Sequence, residues 1–428
     1  MKRGRSWSYV IRVPSPQTGL SKPTWVGGFA TEAEAKAARD RARVAAHRGE
    51  YVTRSRLTVA SYLQEWLATH RVEVKPKTHE DYRRLVESYV IPHLGRTPLQ
   101  SVRPATLTTL YAMLLKEGGK GGRPLSPRTV GYVHAVLRKA LNDAVVVEQL
   151  LPSNPVLLAK RPRVEVMQAQ MPDRVWDASQ LAAFLNAVSG ERLHPFFRLA
   201  AFTGARRGEL LFLHWGDVDL DDEAPHIVVR GTVSIVGGRR VDGTTKSGRV
   251  RTVGLDLGTV AVMRAWRARQ EDERRFADGS WRGAGRVFLT ELGSQLPPDR
   301  PGEVMRRVIV EHNNRSGSPP LPRIRFHDLR HTHATLLLRA GVPVHVVAAR
   351  LGHVDPAITL RVYAHVLRDQ ASGVAEVFAQ VVGQAASPAG DPAQTGGNGR
   401  SVSKPVSKTA GRASGRGKRA PGNAQVRG

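Results

Sequence analysis

Hydrophobic residues recur at helical spacing between residues 57 and 151. They lie mostly three or four positions apart in three windows, which are Leu63, Trp66 and Leu67, then Tyr82, Leu85, Val86, Tyr89 and Val90, then Val130, Val133, Val136, Leu137 and Leu141. Ser126 followed by Pro127 is typical of an N-cap and a first helical position, so the third window begins there. Pro152 and Pro155 end it. The pattern predicts an all-helical domain.

Shorter patterns precede this domain. Residues 7–13 and 24–30 are typical of two strands joined by a loop rich in Pro, Gly and Ser. Thr31, with Glu34 three residues later, forms a capping box that opens a helix ending near Gly49. The segment predicts a small α+β module. Its 12 basic and 4 acidic residues fit either a solvated helix face or a DNA-binding module.

Residues from about 175 onward mix helices with strands. The predicted helices begin at Asp177 and occupy 195–215, 257–276, 301–313 and 326–382, with breaks at 341–343 and around 355–356, and the predicted strands occupy 226–236 and 249–255. This mixture predicts a mainly helical α+β domain with a small antiparallel sheet.

The carboxyl-terminal residues contain no Leu, Ile, Phe, Met, Trp or Tyr and carry eight basic residues and one acidic residue, so a disordered basic tail is expected. The protein is therefore interpreted as multidomain. The predicted segments are the α+β module at 1–56, the all-α domain at 57–155, a linker at 156–174, the second α+β domain at 175–383 and the tail at 384–428.

Composition narrows the function. The 428 residues include 65 Lys and Arg against 37 Asp and Glu, a net charge of +28 that favours a polyanionic partner. The absence of cysteine excludes a thiol nucleophile, a disulfide framework and thiolate zinc sites. No stretch approaches the roughly 18 apolar residues of a membrane span, and the first residues lack a signal-peptide core. A cytoplasmic location is expected.

Five polar patches interrupt the predicted helices and hairpins of the second α+β domain. They are Thr203 to Glu209, Thr245 to Gly248, His327 to His331, Leu351 to His353 and Tyr363 to His365. Each patch alone fits a structural role, since an Arg beside Gly is usually structural and a Gly-His pair is often a helix C-cap. Their order and spacing carry more information than any single patch.

That order is an Arg, a Lys in a hairpin, His-x-x-Arg, Gly-His and then a Tyr ten residues after that His. It resembles the tyrosine recombinase (phage integrase) family, and the resemblance covers all five motifs of the catalytic domain. It implies a catalytic domain at 175–383, a helical core-binding (SAM-like) domain at 57–155 and an arm-type DNA-binding module at 1–56.

The two arginines of the pattern suit a phosphate. His327 and Arg330 lie three residues apart on one helix face, so both can reach the same group. Arg206 and Arg330 could hold both non-bridging oxygens and stabilise a pentacovalent transition state. Local sequence does not separate Arg206 from Arg207; the family pattern Thr-Gly-x-Arg implies Arg206.

Two counts identify candidates for the acid and the nucleophile. Lys246 is the only lysine between Lys160 and Lys404, and unlike Arg it can give up a proton to a departing 5′ oxygen. Tyr363 is the one tyrosine after Tyr132, and a phenol with an ordinary pKa near 10 needs help to ionise. His327 or His353 nearby, with the arginines, would supply that help.

The resemblance implies a mechanism. Tyr363 attacks the scissile phosphate to give a 3′-phosphotyrosyl intermediate and a free 5′ hydroxyl, with no metal, ATP or other cofactor. The implied catalytic set is Arg206, Lys246, His327, Arg330, His353 and Tyr363. Glu209 is expected to orient Arg206, and His331, His333 and His365 to support packing rather than bind metal. The implied partner is double-stranded DNA at specific attachment sites of a phage or other mobile element, with a tetramer acting on two duplexes. The need for an excision factor or a DNA-bending host protein stays open.

Three alternatives remain. A metal-dependent nuclease or transposase would need clustered carboxylates, for which the candidates are Asp217, Asp219, Asp221, Asp222 and Glu223. A non-enzymatic DNA-binding regulator would explain the charge but leaves the order of the five motifs to coincidence. A chromosome-dimer resolvase would share the chemistry, although such proteins usually lack a module like 1–56.

Overall fold

The computed structural model describes residues 1–3, 5–14, 21–47, 51–161, 175–245, 248–277, 279–283, 285–315, 317–360, 362–363, 378–379 and 382. The predicted tail at 384–428 and most of the predicted linker lie outside the described residues. The fold class expected from the sequence is confirmed for the rest. Among the described residues, no helix is long and apolar enough to cross a bilayer.

The first element is an antiparallel sheet of three strands covered by one helix. Its strands are β1 (Lys2–Arg3), β2 (Ser6–Pro14) and β3 (Ser21–Phe29), paired in that order, and the helix is α1 (Glu32–His47). Ile11 and Val26 from the sheet are buried, as are Ala35 and Ala42 from α1. The Thr31 hydroxyl accepts a hydrogen bond from the Glu34 amide at 3.2 Å, as the capping pattern predicts.

Helices then build a second domain around its own apolar core. They are α2 (Val59–His70), α3 (Pro76–Tyr89), the short α4 (Ile91–Leu94), α5 (Pro104–Glu117) and α6 (Pro127–Val146). The Ser126 side chain caps α6 by accepting from the Thr129 amide. Four residues of α2 are buried among residues of α3, α5 and α6, namely Tyr62, Leu63, Trp66 and Leu67. The apolar face of each helix is therefore buried, and this packing stabilises the helices.

The third region combines seven helices with two small sheets in its described part. The helices are α7 (Ala178–Ala187), α8 (His194–Thr203), α9 (Arg207–Phe212), α10 (Leu257–Phe276), α11 (Arg300–Asn313), α12 (Asp328–Arg339) and α13 (Val344–Leu351). The strands are β4 (Val218–Asp219), β5 (His226–Val229), β6 (Gly231–Val236), β7 (Arg239–Thr244) and β8 (Arg251–Gly254). The predicted small sheet is divided in two, an antiparallel β4-β5-β8 sheet and an antiparallel β6-β7 hairpin.

The single helix predicted over 195–215 is wrong, because the chain breaks between α8 and α9. Gly204 adopts φ +64, a left-handed conformation that ends α8. A Cβ at this position would lie 2.7 Å from Leu351 and 2.8 Å from His333, so only glycine fits. The break gives α9 its own amino terminus, with Arg206 at the N-cap. It therefore sets the position of the first residue of the candidate site.

Candidate active site

Arg206 is fixed by a carboxylate one helical turn away. Its backbone amide and one guanidinium nitrogen each donate to Glu209, both at 2.8 Å. The Arg206 side chain is 28% exposed and the Glu209 side chain 1% exposed. Arg207 instead pairs with the exposed carboxylate of Asp299 at 2.9 Å. The geometry thus separates two neighbours that local sequence could not, and leaves Arg206 beside the buried anion.

Glu209 is shared with a second arginine that sequence reasoning did not select. Both terminal nitrogens of Arg251 donate to the two Glu209 oxygens, at 3.1 and 2.7 Å, and its Nε donates to the Arg350 carbonyl at 3.1 Å. Burial alone would raise the pKa of the Glu209 carboxyl, but the hydrogen bonds and charge of Arg251, with the charge of Arg206, lower it to about 2. The carboxylate therefore stays ionised, and Arg251 lies behind Arg206 as part of one network.

Arg330 is buried and held by two backbone carbonyls. Its terminal nitrogens donate to Gly204 O at 2.8 Å and Leu351 O at 2.6 Å, and the residue is 4% exposed. Burial, and then the nearby charge of Arg206, lower the pKa of its guanidinium to about 9. It remains charged at neutral pH. The left-handed turns that end α8 and α13 thus aim their carbonyls at the same guanidinium.

Two histidines of the predicted set lie in the field of these arginines. His327 is the N-cap of α12, and burial, His331, Arg330 and Arg206 lower its pKa to about 4. His353 follows the left-handed Gly352, and its Nδ1 lies 2.5 Å from the Thr359 hydroxyl. Burial and the same arginines lower the pKa of His353 to about 4. Both rings are therefore neutral at pH 7, and each can donate one hydrogen bond and accept one without adding charge.

Tyr363 is buried at 1% exposure, and its hydroxyl lies 2.8 Å from Nδ1 of His331. Burial raises the pKa of the phenol, and Arg330 opposes that effect only in part. The ring of His331 in turn stands 5.3 Å from the ring of His327, nearly perpendicular to it. The expectation that His331 serves packing alone misses this hydrogen bond. The signal for it was present in the sequence as the second His of His-Asp-Leu-Arg-His.

His333 does fill a packing position. Its Nδ1 lies 2.9 Å from the Ala201 carbonyl, and Arg350 donates to its Nε2 at 3.2 Å. His365 lies outside the described residues, so its expected role stays a prediction.

Lys246 also lies outside the described residues, but its neighbours are well anchored. Thr245 is buried and donates through its hydroxyl to Arg249 O at 2.9 Å, while the Gly248 amide donates to Thr245 O at 3.0 Å. From the preceding helical domain, Lys75 Nζ donates to Thr244 Oγ1 at 3.1 Å and Thr245 O at 2.8 Å. The residue immediately before the predicted acid is thus tied to both domains.

A basic cavity of about 1090 Å³ opens beside Arg206 and His327. Further cationic side chains line it from α3, α9, α11 and the segment before α12, namely Lys77, Arg207, Arg306, Arg323 and Arg325. Asp299 and Asp328 also line the cavity and each pairs with an arginine, so the lining keeps a net positive charge. A concave surface of net positive charge concentrates anionic ligands. The cavity therefore gives a polyanion access to Arg206 and His327.

Four of the five carboxylates proposed for a metal-dependent enzyme have other partners. Asp219 accepts from the amides of Asp221 and Asp222, at 3.1 and 3.0 Å, which closes a turn. Asp217 pairs with Arg230 at 2.6 Å. Over the part of the chain that is described, no group of three or more His, Asp or Glu side chains is arranged to hold a metal ion.

Comparison with known proteins gives matches along most of the chain. The phage integrase family matches residues 174–370, its N-terminal SAM-like domain matches 58–115, and the arm DNA-binding domain matches 1–41. An integrase of Streptomyces ambofaciens is 29% identical over 318 residues, which cover 73% of this chain and 77% of the relative. A tyrosine recombinase XerC-like protein of Caldanaerobacter subterraneus subsp. tengcongensis is 26% identical over 361 residues, covering 81% and 89%.

The fold has solved counterparts as well. The integrase of transposon Tn1549, solved in complex with transposon right end DNA, is similar with a TM-score of 0.61 at 22% identity. The match covers 75% of this chain and 99% of that one. At this identity the likeness establishes the fold.

Proposed function

The chain belongs to the phage integrase family of tyrosine recombinases, and on that premise we propose that it cuts and rejoins DNA at specific sites to integrate or excise a mobile element. The observation that carries the proposal is the grouping of Arg206, Arg330 and the Tyr363–His331 pair next to a basic cavity that Arg206 and His327 line. A phosphodiester entering that cavity would meet Arg206 and His327, with the buried Arg330 and Tyr363 nearby.

In the proposed reaction, Tyr363 Oη attacks the scissile phosphorus. Arg206 and Arg330 bind the two non-bridging oxygens, where negative charge grows in the transition state. His327 and His353, neutral at pH 7, donate further hydrogen bonds to the same group. Lys246 protonates the departing 5′ oxygen. The product is a 3′-phosphotyrosyl bond that a 5′ hydroxyl from the partner strand can reverse, so neither ATP nor a metal ion is needed.

The partner is double-stranded DNA, and we propose attachment sites held by more than one domain. The helical domain and the catalytic domain would bind the crossover sequence, and the module at 1–56 a second, arm-type site. Exchange between two duplexes breaks four strands, and each chain has one tyrosine in its catalytic domain, so four copies are required. The protein would act where its target DNA lies, which is the cytoplasm of a bacterium.

A suicide substrate tests the proposal. A duplex nicked near the crossover site loses the short strand after cleavage and so traps the covalent protein–DNA adduct. Wild-type protein and the control Tyr132→Phe, which removes an exposed hydroxyl from the helical domain, should form the adduct. Tyr363→Phe should form none. An adduct that persists in Tyr363→Phe, or strand joining that EDTA abolishes, would refute the mechanism.

The second candidate is a resolvase of chromosome dimers, favoured by the likeness to the XerC-like relative. The chemistry is the same, so the distinction rests on the first module. Removing residues 1–56 should abolish integration and binding to a second DNA site if the protein acts as an integrase. Unchanged integration and accessory-site binding after that deletion would contradict the assignment of residues 1–56 as an arm-binding module.

A further inference from the structure

We propose that His331 is the group that takes the proton from Tyr363 during cleavage. This inference rests on the proposed function and adds a catalytic residue to it. The contact is direct, with His331 Nδ1 at 2.8 Å from Tyr363 Oη. Heavy-atom distances of 2.6 to 3.2 Å are what a general base needs, so no rearrangement between these two groups is required for the transfer.

The position of His331 is set by the same helix turn that holds the phosphate-binding arginine. His331 follows Arg330 in α12, and Arg330 is held by carbonyls from two other segments. The base and the arginine are therefore fixed relative to each other. The phenolate that forms when His331 deprotonates Tyr363 therefore lies beside Arg330, which binds the phosphate under attack.

The surroundings keep the imidazole neutral and the phenol protonated, which is the combination a base requires. Burial lowers the pKa of His331, Arg330 and Arg325 lower it further, and Asp328 opposes them. Burial raises the pKa of Tyr363. The charged or titratable groups around the pair are Arg325, His327, Asp328, Arg330 and, from the segment after α13, His353.

His327 is the competing base, and the structure favours His331. Within the described residues, the contact of His327 with this pair is its ring packing against His331, whereas His331 holds the hydrogen bond to the phenol. Burial, and after it the nearby His331, Arg330 and Arg206, lower the pKa of His327 to about 4. Burial lowers the pKa of both imidazoles, so the hydrogen bond to the phenol is what distinguishes His331 as the proton acceptor.

The step balances as follows. With its own proton on Nε2, His331 receives the phenolic proton on Nδ1 and becomes an imidazolium. The Tyr363 oxygen forms a bond to phosphorus while the bond from phosphorus to the 5′ oxygen breaks, and that oxygen takes a proton from the general acid. On rejoining, the imidazolium returns its proton to the phenol. No other reactant is needed.

A structural role for the same hydrogen bond makes a different prediction. If His331 only holds Tyr363 in place, a glutamine that still accepts the hydrogen bond should keep the cleavage rate at the wild-type value. A glutamine cannot bind a proton at neutral pH, so it removes the base and keeps the contact.

The test is single-turnover cleavage of the nicked substrate by the full chain over a range of pH. His331→Gln and His331→Ala should each cleave about 100-fold more slowly than wild type at neutral pH, with site-specific DNA binding retained. Replacing Tyr363 by 2,3-difluorotyrosine, whose phenol is more acidic, should restore most of the lost rate. His345→Gln, an exposed position on α13, is the matched control and should cleave at the wild-type rate.

Three results would overturn the inference. A wild-type rate in His331→Gln would reduce the residue to a positioning contact. A faster rate in His331→Ala would mean that it restrains the nucleophile. Failure of the fluorinated tyrosine to restore either variant, with DNA binding intact, would mean that proton transfer is not what was lost. The proposed function fails separately, through an adduct in Tyr363→Phe.

Discussion

Removing Arg251 should destabilise the catalytic domain by leaving a buried anion with half of its partners. In Arg251→Met, Glu209 loses two charge-assisted hydrogen bonds and keeps those from Arg206. The pair is 9% and 1% exposed, so solvent offers little replacement. Breaking a buried pair in this way costs about 3 to 5 kcal/mol, and because Arg206 remains we expect about 3 kcal/mol in a urea titration.

The pH dependence of the folding stability tests the contribution of Glu209 in a second way. Folding lowers the pKa of Glu209 from 4.5 to about 2, so its ionised form contributes about 3 kcal/mol of stability at neutral pH. The sign follows from the depressed pKa. The contribution is complete above pH 4.5 and is lost as the pH falls through about 2. In Glu209→Gln, the stability should therefore fall less steeply than in wild type between those two values.

Two further variants test whether Glu209 is the centre of this network. Arg264→Met breaks an exposed pair with Asp221 and should cost less than about 1 kcal/mol. The double variant Arg251→Met/Glu209→Gln removes the stranded charge and should lose less stability than the two single losses added. If Arg251→Met costs no more than Arg264→Met, or if the two losses simply add, the carboxylate is not the centre of this network.

Three further outcomes follow from the same contacts. Arg330→Lys should slow suicide-substrate cleavage about 100-fold or more while DNA binding persists, because an ammonium cannot reach two carbonyls and a phosphate together; cleavage near the wild-type rate would contradict the assigned role. Gly204→Ala should lower the free energy of unfolding by about 1 to 3 kcal/mol in urea, since φ is +64 and its Cβ would clash with two side chains; an unchanged midpoint would contradict this. Lys75→Met should slow cleavage of normal DNA and spare a 5′-bridging phosphorothiolate, whose leaving group needs no acid, if anchoring the hairpin positions Lys246. The exposed Lys120→Met is its control, and equal losses on both substrates would refute the coupling.

Local signals in the sequence predicted most helices and strands. They could not predict contacts between residues far apart in the sequence. Capping residues such as Asp177 act within one turn, so the start of α7 could be located from four residues. The break at Gly204 was missed because apolar residues continue at helical spacing on both sides of it. The close approach of Leu351 and His333 to that glycine makes the break necessary, and these contacts join residues about 130 to 150 positions apart. Periodicity carries no information about such distances.

The same limit applies to the candidate site. Order and spacing identified residues whose chemistry suits a phosphate, yet they did not identify what holds them. The pairing of Glu209 with Arg251 joins positions 42 residues apart. The contact between His331 and Tyr363 joins positions 32 apart, and its importance depends on burial that no local pattern encodes.

The charge of the site matches the proposed transition state better than the substrate. The carboxylate of Glu209 contacts Arg206 and Arg251 and lies in the field of Arg330, and these four side chains together carry a net charge of about +2. The neighbouring histidines with pKa values of about 4 add none at neutral pH. A phosphodiester carries one negative charge, whereas the pentacovalent species formed by attack of a phenolate carries two. Since the arginines are already fixed by Glu209 and by backbone carbonyls, they need not reorganise as that second charge develops. The repulsion between Arg206 and Arg330 is then relieved most fully in the transition state, which is the condition for binding it more tightly than the substrate.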